Sequence, residues 1–93
     1  MSEVAVHVRI EGRVQGVWFR AWTEKTANEL GLTGWVRNCR DGTVEAVFCG
    51  VQSQIDQMIK LCHEGPRAAQ VDRINVESEV DQFYSRFDKR PTK

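Results

Sequence analysis

Residues 12–20, GRVQGVWFR, connect two segments of different periodicity. Before this stretch, apolar residues occupy every second position and predict a strand over residues 4–10 with one buried face: Val4, Val6, Val8 and Ile10. After it, they recur at intervals of three and four and predict a helix over residues 20–30 that Gly31 can end: Phe19, Thr23, Ala27 and Leu30. GRVQGVWFR is therefore a strand-to-helix loop.

The composition of this loop favours a bound anion. Gly12 and Gly16 keep it free of bulk, the start of a helix has unpaired N–H donors, and Arg20 adds a planar set of donors there. A phosphoryl group fits these donors. The known nucleotide loops are absent, because Val17 and Trp18 stand where the Walker pattern needs Lys and Ser or Thr, and the dinucleotide pattern lacks two of its glycines. The alternative at this point is a plain glycine connection in which Arg20 is a solvated first-turn residue.

The rest of the chain continues the alternation of strands and helices. Residues 32–50 read as a β-hairpin in which Asp41 and Gly42 supply positive φ angles, residues 51–64 as a second helix ended by Gly65-Pro66, and residues 71–76 as a fourth strand. Residues 83–87 extend that strand or form a fifth, and residues 88–93 are a charged, frayed tail. The order βαββαβ predicts an α+β, ferredoxin-like sandwich with both helices on one face of an antiparallel sheet.

Length and composition limit the classes of function. Ninety-three residues predict a single domain over residues 1–93, and 41% hydrophobic with 28% charged residues is ordinary for a soluble protein without a membrane span. Thirteen basic and thirteen acidic residues leave no net positive field for nucleic acid. The N-terminus lacks the pattern of a signal peptide, so we expect a cytoplasmic protein. Three cysteines without metal-ligand spacing predict free thiols, with Cys62 buried, and neither a metal site nor a cofactor.

Two further motifs, GWVRN at residues 34–38 and DGTVE at residues 41–45, accompany GRVQGVWFR. Together the three motifs resemble acylphosphatase, a family of small enzymes that hydrolyse the carboxyl-phosphate bond of acyl phosphates. The resemblance implies that Arg20 binds the phosphate with the backbone amides of Gln15, Gly16, Val17, Trp18 and Phe19, and that Asn38 positions the attacking water. It also implies a small-molecule acyl phosphate as substrate and a monomeric protein.

The residues themselves agree with an acyl phosphate. The predicted site has no histidine, carboxylate pair or metal-ligand set, and so suits a leaving group that needs no proton. A carboxylate meets that condition, because its conjugate acid has a pKa of about 4. Phe19 is expected in the core and Trp18 at the exposed rim of the site.

Three alternatives remain at the level of sequence. Asn38 could merely stabilise the hairpin turn. The chain could be an anion-binding domain without turnover, or an RNA-binding module of the same fold, although Glu45 stands in the strand where that module needs basic and aromatic residues. The family often closes with an aromatic residue, two intervening residues, Arg and an aromatic residue; FYSRF at residues 83–87 has Ser85 in place of the usual aliphatic residue.

Overall fold

The computed structural model of the protein describes residues 3–93 and contains one five-stranded sheet and two helices. The elements are β1 (Glu3–Arg13), α1 (Phe19–Glu29), β2 (Thr33–Asn38), β3 (Val44–Val51), α2 (Gln52–Glu64), β4 (Gln70–Glu79) and β5 (Phe87–Lys89). The sheet order is β4-β1-β3-β2-β5, and only β5 runs parallel to its neighbour. The predicted ferredoxin-like fold is confirmed, and the optional fifth strand is present.

Both helices cover the same face of the sheet. The apolar residues of β1 meet the predicted stripes of α1 and α2 in one core, which includes Val8, Phe19, Ala27, Ile55 and Met58. Each large side chain buried in this way contributes about 1.5–3 kcal/mol to folding. In the described residues, neither helix has the length and apolar character needed to cross a membrane.

The cysteines behave as the sequence predicts. All three are free thiols, and Cys62 is buried on the apolar face of α2. Burial raises the pKa of the Cys62 thiol to about 12 and also raises the pKa of Cys49, so both stay protonated at neutral pH. Cys39 is half-buried in the turn between β2 and β3.

The open face of the sheet carries a cluster of charges around Glu45. His7 Nε2 lies 2.7 Å from one carboxylate oxygen of Glu45, and Arg37 Nε donates to the other over 2.7 Å. Glu77 lies 3.2 Å from His7 Nδ1 and accepts from Arg9 Nε over 3.3 Å. Burial alone would raise the pKa of Glu45, but the hydrogen bonds from Arg37 and His7 outweigh it and lower that pKa below its ordinary 4.5.

The turn of the β2–β3 hairpin differs in one respect from the prediction. Only Gly42 has a positive φ, 94°, so the expectation of a positive φ at Asp41 is wrong. Asp41 acts through its side chain instead, because its Oδ1 accepts from the backbone N and the Oγ1 of Thr43 over 3.0 and 2.6 Å. The Cys39 amide donates to the Thr43 carbonyl over 2.9 Å and closes the turn directly after Asn38.

The expectation that residues 88–93 fray is wrong. The Arg90 amide donates to the Val36 carbonyl over 2.8 Å, and the Lys93 amide donates to the Asn38 carbonyl over 3.1 Å. The tail therefore follows β2 along the edge of the sheet. These hydrogen bonds satisfy backbone groups of β2 that would otherwise face solvent at that edge.

The aromatic motif with which the family often closes also lies later in the chain than residues 83–87, where it was expected. The spacing of an aromatic residue, two residues and Arg occurs a second time at Phe87–Arg90, and this copy enters β5. Phe87 is buried and stacks on Phe48 with ring centroids 5.8 Å apart. Tyr84, from the first copy, instead accepts a hydrogen bond from Trp35 Nε1 on the open face.

Candidate active site

The loop between β1 and α1 is shorter than the sequence indicates. β1 continues to Arg13 because β4 pairs with it there, with Gly12 opposite Val71. The φ of Gly12 is 132°, and a Cβ at this position would collide with the carbonyl oxygen of Gln70. Gly12 is therefore needed for the approach of β4, and residues 14–18 form the loop proper.

The loop backbone alternates in handedness. Gly16 has a φ of 72° and Trp18 a φ of 68°, whereas Val17 between them is not left-handed. Alternation of this kind turns successive N–H groups toward one point and forms an anion-binding concavity. Trp18 is the only non-glycine residue with a positive φ in the described chain, a conformation that costs roughly 1–2 kcal/mol for an L-residue.

Side chains on both sides of these residues hold the loop in place. Val14, Val17 and Phe19 are buried in the core under the helices. The Gln15 side chain donates from Nε2 to the carbonyl oxygens of Cys39 and Thr43 over 2.7 and 2.8 Å. The loop is thereby tied to the β2–β3 turn, which contains the residue next to Asn38.

A cavity of about 280 Å³ opens between the loop, the first turn of α1, the end of β2 and β5. Its lining residues are Val14, Gly16, Trp18, Phe19, Arg20, Ala21, Asn38 and Lys89. The structure thus brings together Arg20 and Asn38 with three of the predicted cradle residues. Gln15 and Val17, also predicted for the cradle, are not among the lining residues, because the first points its side chain to the hairpin and the second is buried.

The Asn38 side chain has an acceptor without a donor. Its Oδ1 is buried and is the one such side-chain oxygen or nitrogen without a hydrogen-bond partner in residues 3–93. A buried polar atom left unpaired costs about 1–3 kcal/mol. Asn38 also lines the cavity, so its side-chain amide lies next to the space where a water molecule could supply a donor.

The segment after β5 fixes the position of the Arg20 side chain. Its Nη1 donates to the Arg90 carbonyl oxygen over 3.3 Å, and within the described residues its guanidinium forms no ion pair. The first turn of α1 has no acidic residue and no side-chain cap. The remaining guanidinium donors and the positive end of α1 are therefore both free to meet an anion.

Lys89 is a functional candidate that the sequence did not reveal. In the parallel pairing of β2 with β5, Lys89 lies opposite Val36, two residues after the buried Phe87. It therefore lies on the helix side of the sheet, where it reaches the cavity. A strand of three residues at a charged terminus carries too weak a pattern for this placement to be predicted.

The cavity offers no ligands typical of a metal. None of its lining residues in the described chain is His, Cys, Asp or Glu. His7, Glu45 and Glu77 are near enough to one another to hold an ion, but they lie on the opposite face of the sheet. Their donors and acceptors are already paired with each other and with Arg9, whose positive charge opposes a cation there.

The chain is similar to known proteins over most of its length. The acylphosphatase family model matches residues 6–89, which include the loop, Asn38 and β5. This chain belongs to the acylphosphatase family. An acylphosphatase of Rhizorhabdus wittichii is 47% identical over 91 residues, which are 98% of this chain and 92% of that protein. An acylphosphatase of Trichormus variabilis is 55% identical over 85 residues, 91% of this chain and 84% of that protein.

A solved structure of the same family has the same fold. The structure of an acylphosphatase from Coxiella burnetii superposes with a TM-score of 0.90 at 44% sequence identity. The match covers 95% of this chain and 93% of that one. The acylphosphatase family fold therefore extends over nearly the whole described chain, including the strands that carry Asn38 and Lys89.

Proposed function

We propose that this chain is an acylphosphatase that cleaves the carboxyl-phosphate bond of acyl phosphates by direct attack of water on phosphorus. The observation that carries the mechanism is that Asn38, whose buried Oδ1 has no hydrogen-bond partner in the described residues, lines the same cavity as Arg20. One residue offers a place for a water molecule and the other a place for an anion. The family membership of the chain supports the same substrate class.

The phosphoryl group binds at the loop. Arg20 supplies two parallel N–H donors, and the amides from Gly16 through Phe19 supply the rest of the cradle at the start of α1. Phosphoryl transfer spreads negative charge over three equatorial oxygens in the transition state. Donors that are already in place stabilise that charge without reorganisation.

Asn38 positions the nucleophile. Its Oδ1 accepts a hydrogen bond from a water molecule, which aims an oxygen lone pair at phosphorus. The bond from water oxygen to phosphorus forms as the bond from phosphorus to the acyl oxygen breaks, and the carboxylate leaves with the electron pair. The proton lost by the water passes to a phosphoryl oxygen or to solvent. No covalent enzyme intermediate is involved.

Lys89 balances the second charge of the substrate. A phosphoryl group carries up to two negative charges near pH 7, and Arg20 offsets one of them. Lys89 is the other cation in the lining, and none of the residues that line the cavity in the described chain is acidic. We assign Lys89 to the electrostatic attraction of the phosphoryl dianion.

The alternatives fit the structure less well. An anion-binding domain without turnover needs Arg20 and the loop but gives no reason for the buried, unpaired oxygen of Asn38. An RNA-binding module needs an aromatic and basic platform on the central strands, but Glu45 lies there and engages the neighbouring cations.

The protein is proposed to act as a cytoplasmic monomer without nucleic acid. Three free cysteines suit a reducing compartment. The long edge strand β4 is almost wholly exposed and carries Asp72, Arg73, Glu77 and Glu79, which discourage pairing with a second sheet edge. Equal numbers of acidic and basic residues leave no net field for a polyanion.

The experiment is hydrolysis of benzoyl phosphate, followed by absorbance and repeated in water labelled with oxygen-18. We expect turnover with the label found in inorganic phosphate, because water attacks phosphorus. Label in benzoate would show attack on the carbonyl carbon and would overturn the mechanism. Phosphate binding without hydrolysis would instead favour the anion-binding alternative.

A further inference from the structure

We infer that Trp18 is the surface on which the acyl group of the substrate rests, so that aromatic acyl phosphates are preferred over small aliphatic ones. This inference rests on the proposed function and adds a specificity to it. The Trp18 side chain is 80% exposed and yet lines the cavity that contains Arg20 and Asn38.

The fold does not account for Trp18. Its neighbours Val17 and Phe19 are buried in the core, whereas Trp18 itself joins neither hydrophobic cluster of the described chain. It also keeps a left-handed backbone that glycine or asparagine would adopt more readily. Local strain retained at the mouth of a site indicates that the side chain there has a use.

The direction of attack leaves Trp18 as the surface available to the acyl group. Displacement at phosphorus is in line, so the leaving group departs on the side opposite the attacking water. With the water at Asn38, the acyl group points away from that residue toward the mouth and the other walls. The remaining lining residues are cationic (Arg20 and Lys89), apolar and buried (Val14 and Phe19), or have at most a methyl group (Gly16 and Ala21). Trp18 alone presents a large exposed apolar surface.

The size of the effect follows from ring stacking. A benzoyl ring packed on an indole gains the energy of an aromatic pair, whereas an acetyl group cannot stack. At the strength typical of such pairs, the preference for benzoyl over acetyl phosphate rises roughly three- to tenfold through Trp18.

The test compares kcat/KM for benzoyl phosphate and acetyl phosphate in four variants. Trp18→Gly and Trp18→Asn remove the indole but accept the left-handed backbone, Trp18→Phe keeps an aromatic ring, and Phe83→Ala removes an exposed aromatic residue far from the cavity. We expect the benzoyl-to-acetyl ratio to fall roughly three- to tenfold in the first two variants. Trp18→Phe restores most of the ratio, and Phe83→Ala leaves both the ratio and the inhibition by inorganic phosphate unchanged.

Two outcomes would overturn the inference. If the ratio is the same in Trp18→Gly as in the unaltered protein, the acyl group does not rest on the indole. If both substrates and phosphate inhibition weaken by one common factor, Trp18 only supports the loop. An unaltered protein that hydrolyses neither substrate would contradict the proposed function itself, which keeps the two failures apart.

Discussion

The Arg20 guanidinium donates from Nη1 to the Arg90 carbonyl oxygen over 3.3 Å. Arg20 lies in the first turn of α1, and Arg90 directly follows β5 at the other end of the chain. One donor of the guanidinium is thus used to fix its position, and the others remain for the phosphoryl group. The carboxyl-terminal segment is thereby part of the support of the proposed phosphate site.

Replacing Arg20 by Lys should remove most of the turnover. Lysine supplies a flexible point charge and lacks the separate guanidinium nitrogens with which Arg20 can donate to the Arg90 carbonyl and, in a planar pair, to a phosphoryl group. The loss of one charge-assisted contact, about 1.5–3 kcal/mol, corresponds to a fall of roughly ten- to a hundredfold in kcat/KM. Steady-state kinetics with benzoyl phosphate and inhibition by inorganic phosphate measure this. Near-normal values for both would remove Arg20 from the site.

Replacing Asn38 by Ala should separate binding from turnover. Asn38 holds the water and the anion is held elsewhere, so kcat should fall strongly while inhibition by inorganic phosphate stays near its original strength. Since Oδ1 has no partner in the described residues, its removal breaks no internal hydrogen bond, and the thermal transition should remain close to that of the unaltered protein. An equal loss of kcat and phosphate affinity would make Asn38 a binding residue.

Replacing Lys89 by Met should weaken inorganic phosphate inhibition severalfold and make it less sensitive to salt. A methionine keeps most of the length of the side chain but removes its charge from the cavity. Lys60→Met, on the exposed surface of α2, is the control for the change in net charge. Equal effects of the two substitutions would mean that Lys89 contributes only to the general field of the protein.

Replacing Gln15 by Ala should lower stability and activity together. The carbonyl oxygens of Cys39 and Thr43 each lose their side-chain donor, at a cost of about 1–3 kcal/mol in the free energy of unfolding. The hairpin end that carries Asn38 then loses its connection to the phosphate loop. Urea unfolding and kcat, measured on the same variant, check this. Unchanged kcat with reduced stability would show that the connection does not position Asn38.

The charge cluster on the open face should make the free energy of unfolding depend on pH below 4.5, the ordinary pKa of a glutamate side chain. The pKa of Glu45 is lowered in the folded state by Arg37 and His7, so Glu45 stabilises the fold above its unfolded pKa of about 4.5. That contribution disappears as the pH falls through the folded pKa. We expect Glu45→Gln to be less stable at pH 7 by about 2 kcal/mol, with the difference shrinking below pH ~4.5.

Glu64→Gln, at the exposed end of α2, is the control for the loss of a carboxylate in these measurements. Urea unfolding between pH 3 and 7 follows all three proteins. A constant difference between the unaltered protein and Glu45→Gln across that range would contradict the assigned role of the charge cluster.

Local patterns were sufficient for most of the fold and for the main candidates of the site. The alternation in β1, the stripes of α1 and α2 and the glycines that end both helices depend on neighbouring residues, and so they are visible in the sequence. Arg20 could be named because it closes the glycine loop where a helix begins, and Asn38 because it closes a motif that resembles one of the acylphosphatase family. Their presence in one cavity follows once β1 is placed next to β3 in the centre of the sheet.

The tertiary structure decided what depends on distant parts of the chain. Lys89 reaches the cavity because the three-residue strand β5 pairs parallel to β2. Backbone contacts hold the two strands together, and such contacts leave no periodic pattern in the sequence. Gln15 proved to be a tie to the hairpin because two carbonyl oxygens of the turn lie beside it. Whether the Asn38 side-chain oxygen has a hydrogen-bond partner likewise depends on all the groups around it. An atom is buried or satisfied only in relation to groups that folding brings near, and a linear pattern does not contain those neighbours.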